Sequence, residues 1–103
     1  MIRFRRRNLG TLVRRQLDLF ALDEAPVLDE AREAEANWNR SGRESAEEAY
    51  GDWQQLADTI AERLLDLRET YAATLEPEVA ARYRASFDRA AASRYRHFTG
   101  LLG

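Results

Sequence analysis

The sequence predicts an all-α protein: an antiparallel helical bundle of three core helices, with an amphipathic N-terminal helix packed on them. Three observations carry this expectation. Ala and Leu supply thirty of the 103 residues, whereas Val, Ile and Thr supply only ten. Ala and Leu lose little on entering a helix, while β-branched side chains lose χ1 freedom there. Apolar residues recur at three- and four-residue intervals over long stretches, the period that puts them on one helix face. The only two prolines, Pro26 and Pro77, fall between such stretches, where each suits the first turn of a new helix.

Residues 1–7 show no helical period and read as a basic, flexible arm ahead of a single domain spanning residues 8–103. From Asn8, a natural N-cap, Leu9, Leu12, Val13, Leu17 and Phe20 follow at helical spacing, so a first helix is expected to run to about Leu22. Asp23 and Pro26 mark its end. The second helix, about 24–39, has the thin, Ala-rich stripe Val27, Leu28, Ala31, Ala34 and Trp38. Residues 40–44 read as a loop. Ser45 with Glu48 three positions on has the form of a capping box.

The strongest pattern comes next. Ala49, Trp53, Leu56, Ile60, Leu64, Leu67, Tyr71 and Leu75 form one unbroken row, with Leu65 beside it. They predict a helix over 46–74, about 43 Å long at 1.5 Å per residue. Glu76-Pro77 ends it, because the residue before proline is pushed out of helical geometry. The last helix, 77–98, takes Val79, Tyr83, Phe87, Ala90, Ala91 and Phe98 as its core face, with Gly100 as its C-cap. Short connections make successive helices antiparallel neighbours, and the last two a coiled-coil-like hairpin.

The sequence offers little chemistry. With no Cys there is no disulfide, zinc-thiolate site or thiol nucleophile. The one histidine, His97, has Arg94 rather than Glu three residues before it, so the Glu-x-x-His element of a di-metal carboxylate site is missing. No serine sits in a Gly-x-Ser-x-Gly elbow, and there is no phosphate-binding glycine loop. A non-enzymatic protein with no cofactor and no metal is expected. No apolar run approaches the roughly 20 residues of a membrane span, and the basic N-terminus lacks a signal-peptide apolar region. A cytoplasmic location follows as an expectation.

Charge is the more informative feature. All 16 basic residues are Arg, yet the net charge is −2. Arginines crowd both ends of the chain, and the middle is acidic. Arg82, Arg89 and Arg96, seven apart, share one stripe of the last helix. Two readings compete: a rail for phosphates, or a ladder paired with helix 46–74. A hairpin turning near 75–77 sets Arg82 opposite Glu69, Arg89 opposite Glu62, and Arg96 opposite Asp58 or Gln55, and the ladder is the expected outcome.

Arg3, Arg5, Arg6 and Arg7 have no such partner in register, and Arg14 and Arg15 lie away from the apolar stripe of the first helix. They are candidate ligands for nucleic-acid phosphates, or for an anionic membrane surface touched peripherally; the third reading folds the arm back on the acidic body or leaves it a tail without function. Trp38, near a helix end on a thin stripe, is a candidate anchor for a partner protein. The expected function is a small interaction or self-associating module. The alternative is a nucleic-acid-associated protein binding through the Arg arm.

Overall fold

The computed structural model describes residues 6–96. The described residues are four helices with no strand: α1 (Arg6–Asp23), α2 (Ala25–Arg40), α3 (Ala46–Ala72) and α4 (Pro77–Arg94). They form the expected bundle, in which α2 packs mainly on α3 and α1 mainly on α4.

The junction of α1 and α2 differs from expectation. One residue, Glu24, separates them, at φ −105° and ψ 18°. Its amide donates to the Phe20 carbonyl at 2.8 Å, and its own carbonyl accepts from the Leu28 amide at 3.0 Å. Helical bonding therefore reaches Glu24 from one side and resumes on the other, while Pro26 has no N–H to give. A single residue so close to helical geometry cannot reverse the chain, so α1 and α2 run on as one kinked rod rather than folding back. The reversals fall at 41–45 and 73–76. The result is an elongated molecule, 60 × 23 × 18 Å.

Helix ends also shift for identifiable reasons. α1 opens at Arg6, which puts Arg6, Arg7 and Asn8 inside the helix and removes Asn8 as its cap. Ser45 is the N-cap residue of α3, but at φ −105°, ψ −3° it is already helical and makes no side-chain cap bond. Its hydroxyl donates instead to the Gly42 carbonyl at 3.5 Å, so the capping box does not form. α3 stops at Ala72, and the next turn tightens: the amides of Thr74 and Leu75 reach the carbonyls of Tyr71 and Ala72, satisfying groups a helix end leaves open. Glu76 is extended, at ψ 151°, as the residue before proline should be.

α4 ends at Arg94, four residues short of the expected boundary. Tyr95 leaves helical geometry at φ −125°, ψ 48°. That turn lays its ring edge-on to Phe20, centroids 5.9 Å apart, and buries it. His97, Phe98 and Gly100 lie outside the described residues.

The core runs along both layers. Val13 and Leu17 of α1, Ile60 and Leu64 of α3, and Tyr83 and Phe87 of α4 are its largest fully buried side chains. The α2–α3 half is closed by small residues instead, with Ala31 and Ala57 wholly buried. Tyr83 donates its hydroxyl to Gln16 Oε1 at 2.7 Å, tying α4 to α1. Burial disfavours the charged phenolate and pushes the Tyr83 hydroxyl up to about 12, and burial pushes Tyr95 up as well. A raised folded-state value means stability that is complete below the ordinary tyrosine range and lost as pH rises through the folded value. Spectrophotometric titration should therefore show Tyr83 and Tyr95 ionising above the ordinary tyrosine range, with stability falling between about pH 10 and 12. Ionisation of both at the ordinary value in folded protein would contradict this.

Gly51 lies within α3, exposed, and a Cβ there would meet nothing within 4 Å. Gly51→Ala should raise stability by about 0.5–1 kcal/mol, because it removes backbone freedom from the unfolded chain without a clash. A urea midpoint at or below that of the parent chain would refute the assignment of Gly51 to a regular helix interior.

Candidate functional site

The sequence-derived site residues do not converge on a pocket. Arg3 and Arg5 lie outside the described residues. Arg6 and Arg7 are in the first turn of α1. Arg14 and Arg15 project from the middle of α1 into solvent and have no ion-pair partner among the described residues. Asp18, one turn on, pairs with Arg94 of α4 at 2.9 Å.

Trp38 is half-buried in the hairpin tip rather than free. Its ring packs at 4.9 Å on Tyr50 and 5.4 Å on Trp53, and these three rings close the end where α2 passes to α3. Tyr50 is the most exposed of them, at 42%, with its hydroxyl donating to Gln54 Oε1.

The charge ladder between α3 and α4 exists, but with a different membership. Glu69 takes both nitrogens of the Arg84 fork, Nε at 2.8 Å and Nη2 at 3.0 Å. Arg68 bridges Glu69 Oε2 at 3.0 Å and Asp88 Oδ1 at 2.7 Å. The Arg84 guanidinium, with Arg68 beside it, holds the Glu69 carboxyl below the usual carboxylate range. Arg82, Arg89 and Arg96 are exposed and have no ion-pair partner among the described residues. The expected pairs of Arg82 with Glu69, Arg89 with Glu62 and Arg96 with Asp58 are therefore not made. The hairpin register is close to the expected one, but the rotation of α4 points Arg84 and Asp88 at α3. A stripe displaced around the helix from those two faces outward.

Acidic residues match this stripe on the other helix. Asp58, Glu62 and Asp66 lie along the exposed side of α3, also without ion-pair partners among the described residues. Asp58 accepts only a hydrogen bond from Gln54, at 3.0 Å. Between the two charged rows sit Leu65, 38% exposed, and the exposed Ala81, Ala85 and Ala92 of α4.

A second apolar feature lies on α1. Leu22 is 74% and Leu19 55% exposed. Leu19 borders a shallow groove between α1 and α3, where Phe20 and Leu67 provide the apolar lining and Glu24 pairs with Arg63 at one end. The sequence row that identified α3 contained Leu67, and Leu65 stood beside it. Leu19 and Leu22 were invisible as surface features because helix 8–22 has more apolar positions than one face can bury.

Among the described residues no group of His, Cys, Asp and Glu is placed to hold a metal ion. None of the described helices is long and apolar enough to cross a membrane. What the surface offers chemically is planar guanidinium forks, suited to carboxylate or phosphate, beside apolar side chains. Comparison with protein-family models, curated proteins and solved structures finds no match for this chain.

Proposed function

We propose that this chain is a small, non-enzymatic interaction module that works by docking on protein. The observation that supports it most directly is the exposure of Leu19 and Leu22 beside the α1–α3 groove. Single exposed leucines are ordinary, but two neighbouring ones at the edge of an apolar groove form a patch of the kind that partner helices cover. Affinity purification of the full chain from its own cells tests the reading. One stoichiometric protein, itself or another, should be retained by the parent chain and lost from a Leu19→Ser/Leu22→Ser variant. Retention of no protein by either chain would reject the reading.

A second reading is supported by Arg14 and Arg15, whose guanidiniums are exposed and have no ion-pair partner among the described residues. It makes the protein a nucleic-acid-associated one, held by phosphate contacts. Fluorescence anisotropy with labelled RNA and duplex DNA separates the two. Binding that weakens steeply with salt and is lost in Arg14→Ala/Arg15→Ala favours the second reading. No binding at low salt, where phosphate attraction is strongest, removes it.

A further inference from the structure

We infer that this chain also docks on a second copy of itself, through the α3–α4 face and about a two-fold axis parallel to the helices. That face is separate from the Leu19–Leu22 patch, so the inference goes beyond the docking reading above and is tested apart from it.

The argument is charge complementarity in register. The Glu69–Arg84 fork and the Tyr71–Tyr83 ring contact, 5.0 Å between centroids, fix which residues of α3 and α4 are level. By that register Arg89 is level with the turn holding Glu62 and Asp66. Among the described residues these groups form no ion pair: Arg82 and Arg89 lie on the outer rim of α4 and the acids on the outer rim of α3, with Leu65 and the exposed alanines between. A two-fold axis along the helices exchanges the rims without changing the level. Each copy's arginine row then lies over its partner's acidic row, and Leu65 of each faces the small side chains of the other's α4. The interface is isologous, so every pair occurs twice. The other two-fold arrangement in the same face, perpendicular to the helices, stacks arginine on arginine and is disfavoured. Nucleic acid on the same arginines would have to lie next to the acidic row of α3, which repels it.

The experiment is light scattering on the full chain at tens of micromolar, in about 50 mM and about 500 mM salt, where screening differs severalfold in range. A dimer is expected at low salt, with affinity weakened by roughly tenfold or more at high salt. Two charge-reversed variants complete the test: Arg82→Glu/Arg89→Glu, and Glu62→Arg/Asp66→Arg. Each should be monomeric alone, and the two mixed should recover a heterodimer, because both of its contacts are then complementary. The substituted side chains make no ion pair among the described residues, and circular dichroism checks that each variant folds. If one does not, the milder Arg89→Gln and Asp66→Asn replace it and should each weaken the dimer. A monomer at low salt overturns the inference, as does failure of the mixture to recover. A dimer indifferent to salt and to these variants but lost in Leu19→Ser/Leu22→Ser overturns it too, while leaving the docking reading intact. Arginine-dependent binding of labelled RNA by a monomeric chain overturns both.

Discussion

Phe87→Ala should lower the unfolding free energy by about 3–5 kcal/mol, the largest effect of any single substitution considered. Phe87 has no exposure, and its ring sits 6.0 Å from Tyr83, which in turn packs 5.0 Å from Tyr71. The cost has two parts. The apolar area of the ring is lost from the core, and the space it leaves lies within the buried cluster, whose packed side chains relax into it only in part. For a domain whose whole stability is about 5–15 kcal/mol, this is a large share. Tyr83→Phe makes a sharp contrast at the neighbouring position. It keeps the ring and removes only the hydrogen bond to Gln16, so its cost should stay near 0.5–1.5 kcal/mol. Urea unfolding followed by circular dichroism reads both as midpoint shifts at constant slope. If Phe87→Ala cost no more than Tyr83→Phe, α4 would not be a wall of the core.

The parts of the fold that were legible are those where one local rule had no competitor. The α3 row from Ala49 to Tyr71 could only be one helix, and Pro77 could only start another. What was not legible depended on tertiary context. Short connections usually mean antiparallel neighbours, but Glu24 stays near helical geometry and the rod continues. Pro26 fixed where the helix breaks without fixing by how much the chain turns. Tyr95 looked like part of a basic helix end, because its burial depends on Phe20, seventy-five residues earlier in the chain. Ser45 and Glu48 had the right spacing for a capping box, yet the turn leading into α3 placed Ser45 in helical geometry, where its hydroxyl finds Gly42 instead.

Charge shows the same division. The level at which α3 meets α4 was readable, since it follows from where the chain turns. The rotation of α4 about its own axis was not, because Arg82, Arg84 and Arg89 are equally good partners in sequence. Only packing decides, and it selects the arginine whose fork reaches Glu69 while Tyr83 and Phe87 fill the core. Arg82 and Arg89 are left over, and so is Glu62; none of the three makes an ion pair among the described residues. The paired and the outward-facing charges belong to one pattern, and sequence alone does not divide it between them.

The α2–α3 hairpin should be the part of the molecule least tolerant of added volume. Ala57→Leu is expected to cost about 1–3 kcal/mol, although it adds apolar surface. Ala31 and Ala57 both have no exposure, and the contact of Trp38 with Tyr50 sets them at about the same level of the seam. Two small side chains facing each other bring the backbones close, so a Leu has no space without spreading the helices. Spreading would separate Trp38 from Trp53 at the tip, and these are the only tryptophans in the chain. Loss of stability should therefore come with a change in tryptophan fluorescence of the folded protein. Ala34→Leu serves as the control. Ala34 is half-exposed on α2, so the added side chain can turn outward, and both stability and emission should hardly move. Equal tolerance at Ala57 and Ala34 would mean that the seam is not closely packed, and that the rings of Trp38, Tyr50 and Trp53, rather than the alanines, hold the hairpin together.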